Sequence, residues 1–318
     1  MGLEVMDRYR GVVLGLAVGN ALGLPAEGRP AAWIRERYPR GLADIDPVET
    51  DRPWDDDVAQ AVLLAEALVE EGRLDLEDLG RRLLAWYRES GRGIGLQTAR
   101  VIEQLSRGTP AAYAAGLVWE ASGRQAAGNG AVMRCAPVAL RWWRDEERLI
   151  EQSRISARVT HEDPRCQWSC VALNLALAGA LAEKPLDLAD LARRLRDREA
   201  PGEVTEAIHA SLEGDPANLR LDGWDMGYTL KAMQVGLWCL AQERDFEGAL
   251  VQVVACGGDT DTNGAVAGAA LGAAAGAGAI PERWLARISG TEHLRTLGAR
   301  LGNLADGDWG RMTPHSNG

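Results

Sequence analysis

The chain has 318 residues, with 46 acidic against 35 basic side chains and a formal net charge of −11. That length allows two domains or one large helical domain, and 46% hydrophobic residues supply a sizeable core and exclude disorder for most of the chain. The acid excess argues against a general nucleic-acid or anionic-membrane surface, because its long-range field repels both.

In chain order, Gly11–Pro25 follows Arg8 and Arg10 and looks superficially like the apolar region of a signal peptide. Gly19-Asn20 interrupts it and no convincing cleavage site follows, so it is read as part of the folded protein. Val58, Val62, Ala65, Leu68 and Val69 form an apolar stripe on one helix face. Asp55, Asp56 and Asp57 stand at its start, where acids suit both capping and the helix dipole. The same periodicity predicts helices over Leu76–Arg88, Thr98–Leu105, Val132–Arg144, Cys170–Leu181, Leu188–Leu195, Tyr228–Leu240 and Phe246–Ala255. Short turn-rich segments separate them at Asp44–Pro53, Gly123–Gly130, Gly214–Pro216 and Asp222–Gly227.

After Asn263, glycines recur at every fourth position (Gly264, Gly268, Gly272, Gly276) among alanines. Each costs a helix interior roughly 1 kcal/mol against alanine, which close approach of another helix would offset. This helix is therefore expected to be central and to hold its N-terminal loop rigidly. The run Ala265–Ile280 is too short and glycine-rich for a membrane span of roughly 20 residues. Almost no alternating strand pattern, fixed repeat or long linker occurs. The expected fold is all-α: a single compact, orthogonally packed helical domain over residues 1–306, with a flexible polar tail over 307–318. Five scattered cysteines, with no CxxC or Cys/His cluster, argue against a disulfide framework and structural zinc and point to a reducing cytoplasm.

Two acidic clusters stand where a loop enters a helix: Trp54-Asp55-Asp56-Asp57 and Gly257-Gly258-Asp259-Thr260-Asp261-Thr262-Asn263. Either alone reads equally as a helix cap. Together they offer five carboxylates plus hydroxyls, with Cys256 the nearest softer ligand. Hard divalent cations want such an oxygen-rich set, and so many carboxylates need neutralisation. Two cations about 3.5–4 Å apart, Mg²⁺ or Mn²⁺, are the expected cofactors, held between two helix N-termini.

Other signals are weaker alone. Gly128-Asn129-Gly130 is either a plain turn or a loop presenting N–H groups to an anion, with Arg134 nearby as a charge partner. His161, in a loop-like stretch, is either structural or functional, and Glu27 says little without its company.

The ordered set Gly19-Asn20-Ala21-Leu22-Gly23…Glu27, Trp54-Asp55-Asp56-Asp57, Gly128-Asn129-Gly130…Met133-Arg134, Thr160-His161 and Gly257–Asn263 resembles the ADP-ribosylglycohydrolase family, that of the dinitrogenase-reductase-activating glycohydrolases. The likeness runs from about Tyr9 to Arg300 and is most specific over Asp245–Trp284. It implies an all-helical hydrolase that cleaves the glycosidic bond between ADP-ribose and a protein side chain or small-molecule acceptor. Asp56, Asp57, Asp259, Asp261 and Thr262 would ligate the metals, with Asp55 among them where threonine is usual. Glu27 and Asp259 would assist proton transfer, while Gly128, Asn129, Gly130, Met133 and His161 would hold ADP-ribose. Tyr228, an aromatic beside a loop, is a candidate to stack on a substrate ring. The implied transition state has oxocarbenium character, which an acidic pocket stabilises.

Three positions depart from the family's pattern: Asp55 and Val58 where threonines are usual, and Asn20 where aspartate is usual. The exchange retains the acid count while altering its placement. Two rival readings are a non-catalytic ADP-ribose binder and a magnesium-dependent isoprenoid-synthase-like enzyme. The second fits poorly, because Val58-Ala59-Gln60 follows Asp57 where a DDxxD-like spacing needs another acid. Neither the acceptor nor the oligomeric state is legible in the sequence.

Overall fold

The computed structural model describes residues 3–211, 214–241 and 244–312. Helices dominate throughout. The first half contains α1 (Leu3–Gly23), α2 (Ala31–Arg37), α3 (Asp56–Glu71), α4 (Leu76–Glu89), α5 (Leu96–Ser106), α6 (Ala111–Ala121), α7 (Ala136–Trp142) and α8 (Glu146–Arg158). The second contains α9 (Pro164–Leu181), α10 (Leu188–Asp197), α11 (Gly202–Ala210), α12 (Thr229–Leu240), α13 (Phe246–Val254), α14 (Thr260–Ala275), α15 (Glu282–Leu285) and α16 (Thr291–Met312). The strands among the described residues are β1 (Arg29–Pro30) and β2 (Gly257–Gly258), paired antiparallel with Arg29 opposite Gly258.

α1 and α14 form the central pair, and glycine makes their contact possible. Gly11, Gly15, Gly19 and Gly23 of α1 face Gly272, Gly268, Gly264 and Thr260 of α14, so the helices run antiparallel. At each crossing a β-carbon would collide with the opposite backbone. The stripe on α14 was expected, whereas its counterpart on α1, in the signal-peptide-like segment, was not. Gly276 has φ 80° and terminates α14 rather than extending its stripe. Antiparallel docking brings the C-terminal end of α1, and Glu27 beyond it, beside the N-terminus of α14. Thr260 Oγ1 donates to Gly23 O at 2.7 Å and locks that end.

One apolar core joins α1 to the helices around it, with Tyr9, Trp238, Phe246 and Trp284 among its largest members. A satellite core of Val101, Ala114, Ala115 and Val118 joins α5 to α6. The expected helix over Val132–Arg144 is broken. A 3-10 turn covers Val132–Arg134, and α7 then starts with Pro137 in its first turn, where a missing N–H costs nothing. α16 continues through Gly307 to Met312, and the rest of the expected tail, 313–318, lies outside the described residues. No described helix is long and apolar enough to cross a membrane.

Candidate active site

Two helix N-termini converge at the end of the α1–α14 pair. Asp55 is the N-cap residue of α3, with Asp56 and Asp57 in its first turn. Asp55 makes no side-chain capping bond, so the bland capping reading fails there. On the opposite side, Gly257 and Gly258, with φ of 73° and 79°, turn the chain into Asp259 and α14. A β-carbon on Gly257 would stand 2.5 Å from Ala31 N, so this turn needs glycine twice over.

Asp55, Asp57 and Asp261 each place a carboxylate oxygen within 4.8 Å of the other two. All three are buried, and Asp57 Oδ1 and Asp261 Oδ1 have no hydrogen-bond partner. Burial, then the neighbouring aspartates, pushes the carboxyls of Asp57 and Asp261 far above their usual range. Asp56 rises to about 8 for the same reasons. Such a set of buried oxygens, two of them without a hydrogen-bond partner, fits a hard divalent cation that would take the place of the retained protons; no thiol or imidazole belongs to the cluster.

The surrounding groups restrain this negative charge without cancelling it. Asn20 Nδ2 donates to Asp57 Oδ2 at 3.3 Å and also hydrogen-bonds Asp55, so an amide supports two carboxylates where another acid would add repulsion. Arg92 Nε lies 3.7 Å from Asp55 Oδ1, while its other nitrogens donate to Pro53 O at 2.7 Å and Glu49 Oε2 at 2.9 Å. Burial still leaves the Asp55 carboxyl raised. Thr262 hydrogen-bonds Asp57, and Gln60 Nε2 donates to Asp56 Oδ2 at 3.4 Å.

A cavity of about 220 Å³ opens beside the cluster. Glu27, Asp56, Asp259, Asp261 and Thr262 line it together with Gly128, Asn129, Gly130, Met133 and His161. Burial, followed by repulsion from Asp259 and Asp55, raises the Glu27 carboxyl. Asn129 Nδ2 donates to Asp259 Oδ2 at 2.7 Å and joins the two walls. His161 is buried, and desolvation followed by repulsion from Arg134 lowers its pKa to about 3, so the ring is neutral. Its Nδ1 lies 2.8 Å from Thr160 Oγ1, and that oxygen accepts from Arg134 Nη2 at 2.6 Å. The hydroxyl proton of Thr160 is free to be donated to Nδ1. In that tautomer the ring proton sits on Nε2, beside Gly128 and Gly130.

Twelve of the expected site residues therefore gather in two touching groups: ten around the cavity, and Asp57 with Asp55 in the acid cluster adjoining it, where Asp261 belongs to both. Asp55 faces Arg92 and a small crevice behind the cavity. Tyr228 stands outside the cavity lining, bridged to Gly128 through the backbone, with the Arg165 guanidinium 5.8 Å from its ring centroid. Arg134 is not positioned as an anion partner. It is 1% exposed beneath the loop and donates to Gln60, Ser156 O and Thr160. Sequence reasoning missed Gly93, Gly95, Leu96, Gln97 and Thr98, which form another part of the lining. The alternation Gly91-Arg92-Gly93-Ile94-Gly95 was the available signal.

An all-helical enzyme with buried carboxylates on one wall of its cleft and a polar glycine loop on the other is the class this architecture defines. The ADP-ribosylglycohydrolase profile matches residues 1–311. A solved structure titled "ADP-ribosylglycohydrolase-related protein complex" aligns with TM-score 0.76 and 32% identity, covering 95% of this chain and 99% of that one. The ADP-ribosyl-[dinitrogen reductase] glycohydrolase of Rhodospirillum rubrum is 29% identical, over 90% of this chain and 92% of its own length. The ADP-ribosylarginine hydrolase Tri1 of Pseudomonas putida (strain GB-1) is 27% identical, over 94% of this chain and 78% of its own. The chain belongs to the ADP-ribosylglycohydrolase family.

Proposed function

We propose that the protein hydrolyses the glycosidic bond between ADP-ribose and an acceptor, using two divalent cations, Mg²⁺ or Mn²⁺, held among Asp55, Asp56, Asp57, Asp259, Asp261 and Thr262. The observation that carries this reading is the pairing of partnerless buried carboxylate oxygens with a polar cavity beside them. Bound cations would supply Lewis acidity and fixed positive charge for the ribose hydroxyls. The remaining work falls to the chain's own side chains.

Glu27, with its raised carboxyl, is suited to give a proton to the departing acceptor and to take one from the incoming water. Asn129 holds Asp259 in a fixed orientation against the same cavity. His161 Nε2–H and the backbone N–H groups of Gly128 and Gly130 are suited to donate to an anionic part of ADP-ribose, the Asn129 N–H being taken by Gly227 O. The acidic wall favours positive charge developing on the sugar. An arginine linkage, as in the name of the Pseudomonas putida relative, is the first acceptor chemistry we assign, and a dinitrogenase-reductase-type target is its narrower form. Five free, buried cysteines support a reducing, cytoplasmic setting.

The test is release of ADP-ribose from arginine-, serine- and small-molecule-linked substrates with Mg²⁺ or Mn²⁺, comparing wild type with an Asp259→Ala/Asp261→Ala double variant. Loss of metal-dependent release in the variant is expected, and undiminished release would refute the assignment. Tight ADP-ribose binding without turnover of any substrate would identify a binder instead.

A further inference from the structure

Trp224 is 99% exposed, an unusual environment for the largest apolar side chain. Its loop is firmly held. Gly223 N donates to Arg220 O at 3.3 Å, Met226 N to Gly223 O at 3.1 Å, and Tyr228 N to Asp225 O at 2.9 Å, giving consecutive turns. Lys231 Nζ ties both ends together, donating to Arg220 O at 2.5 Å and Asp225 Oδ1 at 2.7 Å. The indole thus projects from an ordered backbone support, so a ligand that covers it need not order the loop.

The loop is anchored to the cleft at three points. Asp222 Oδ2 accepts from Ala31 N at 3.0 Å, next to β1 and four residues beyond Glu27. Gly258, the residue before Asp259, packs against Leu221 O. Gly227 O accepts from Asn129 N at 3.0 Å, and a β-carbon on Gly227 would stand 3.7 Å from Asp259 Oδ2. The loop therefore packs against the segments that carry Glu27 and Asp259, outside the cavity lining and on the side where the proposed reaction releases its acceptor. A cavity of about 220 Å³ cannot also enclose a polypeptide acceptor, whose flanking residues must lie on the surface around it, where this loop stands. Met226, 37% exposed in the same loop, is a second exposed apolar side chain.

We infer that Trp224, with Met226, is a docking platform for the polypeptide that carries the ADP-ribosylated residue, stacking on a guanidinium or aliphatic side chain beside the modified position. The inference rests on the proposed hydrolase reading and names the acceptor class at that same site. It makes Trp224 a specificity residue for protein substrates.

The test compares wild type with Trp224→Ala and Trp224→Phe on two substrates: a tryptophan-free ADP-ribosylated peptide and free ADP-ribosylarginine. For Trp224→Ala, KM for the peptide should rise roughly tenfold with kcat retained, an effect typical of an interface tryptophan, while KM for ADP-ribosylarginine stays within about twofold. Trp224→Phe should recover part of the loss. Equal losses on both substrates would assign the indole to ADP-ribose and overturn the inference, as would an unchanged KM for the peptide. Emission from Trp224, read as wild type minus Trp224→Phe, should shift when the peptide binds. If neither substrate turns over, the hydrolase reading fails separately, and an unshifted emission then overturns the platform as well.

Discussion

Gly19 and Gly264 meet backbone to backbone, each lying where the other's β-carbon would have to be. The contact fixes the spacing of α1 and α14 and, at its end, the distance from Glu27 to Asp261. Gly264→Ala should therefore destabilise despite alanine's better helix propensity. Overpacking costs typically about 1–3 kcal/mol, against a propensity gain of about 1 kcal/mol. Gly179 in α9 is the control, since nothing lies within 4 Å of its added β-carbon. Gly179→Ala should be neutral or stabilising. Thermal unfolding of the two variants checks the pair, and Mn²⁺ titration should show weakened binding in Gly264→Ala alone. Equal melting temperatures would remove the close-packing account.

The carboxylate cluster predicts how the metal-free protein responds to pH. Asp56 titrates near 8 in the folded state against an ordinary 3.8, so the folded protein holds a proton that the unfolded chain has lost across this window. Stability from that raised group is complete below 3.8 and is lost as pH rises through about 8. Asp57 and Asp261 shift in the same direction. His161 acts oppositely: lowered from 6.5 to about 3, it contributes above 6.5 and loses that contribution as pH falls through about 3. In EDTA, the melting temperature should decline from pH 6 to pH 9, and Mn²⁺ should flatten the decline by replacing the missing protons with fixed positive charge. A rise over the same interval in EDTA would contradict the upward shift of these buried acids.

Glu27 and Asn129 touch the same cavity but should fail differently. Glu27→Gln removes the group suited to proton transfer, so kcat should drop about 10²–10⁴-fold with ADP-ribose affinity retained. Asn129→Ala leaves every carboxylate in place and frees Asp259 Oδ2 from its 2.7 Å hydrogen bond. Its effect should be smaller, about 10–100-fold, and should appear in metal affinity as well as rate, as is usual for groups that orient a metal ligand. Steady-state kinetics and calorimetric Mn²⁺ titration on both variants separate the roles. A matching kinetic and metal-binding profile would mean that Asn129 does more than position Asp259.

These contrasts also indicate what was readable from the residues alone. Acid-rich segments at Asp55–Asp57 and Asp259–Asp261 were legible because carboxylates at loop-to-helix junctions are locally visible, and the glycine stripe of α14 forecast a close helix partner. The identity of that partner was hidden. α1 carries glycine at the same interval, but its apolar character gives no outward face, since it is covered on nearly every side. The broken helix at Val132–Arg144 was misread because apolar periodicity continues across Cys135 while the backbone restarts at Pro137. The Gly93–Thr98 wall was missed for a different reason: its contribution depends on a loop folding back onto Asp55 and Asp56, a long-range contact that no local pattern records.

Arg134 illustrates the same gap and gives the last prediction. Sequence proximity to Gly128–Gly130 suggested an anion contact, yet the guanidinium lies under the loop, and burial lowers its pKa to about 10. It donates to Gln60, which in turn holds Asp56, and to Thr160, which holds His161. One buried cation thus supports both walls of the cavity without reaching it. Lysine would keep the charge but could not reproduce the planar fork that serves several acceptors at once. Arg134→Lys should cost on the order of 1–3 kcal/mol from acceptors left without a donor, and Arg134→Ala should cost more, about 3–5 kcal/mol. In Arg134→Lys the freed Thr160 hydroxyl no longer fixes the ring of His161, so ADP-ribose binding should weaken under conditions where the variant remains folded. Chemical unfolding and calorimetric ADP-ribose titration test both parts. Full stability with weakened binding would place Arg134 in direct contact with the ligand, contrary to its buried position.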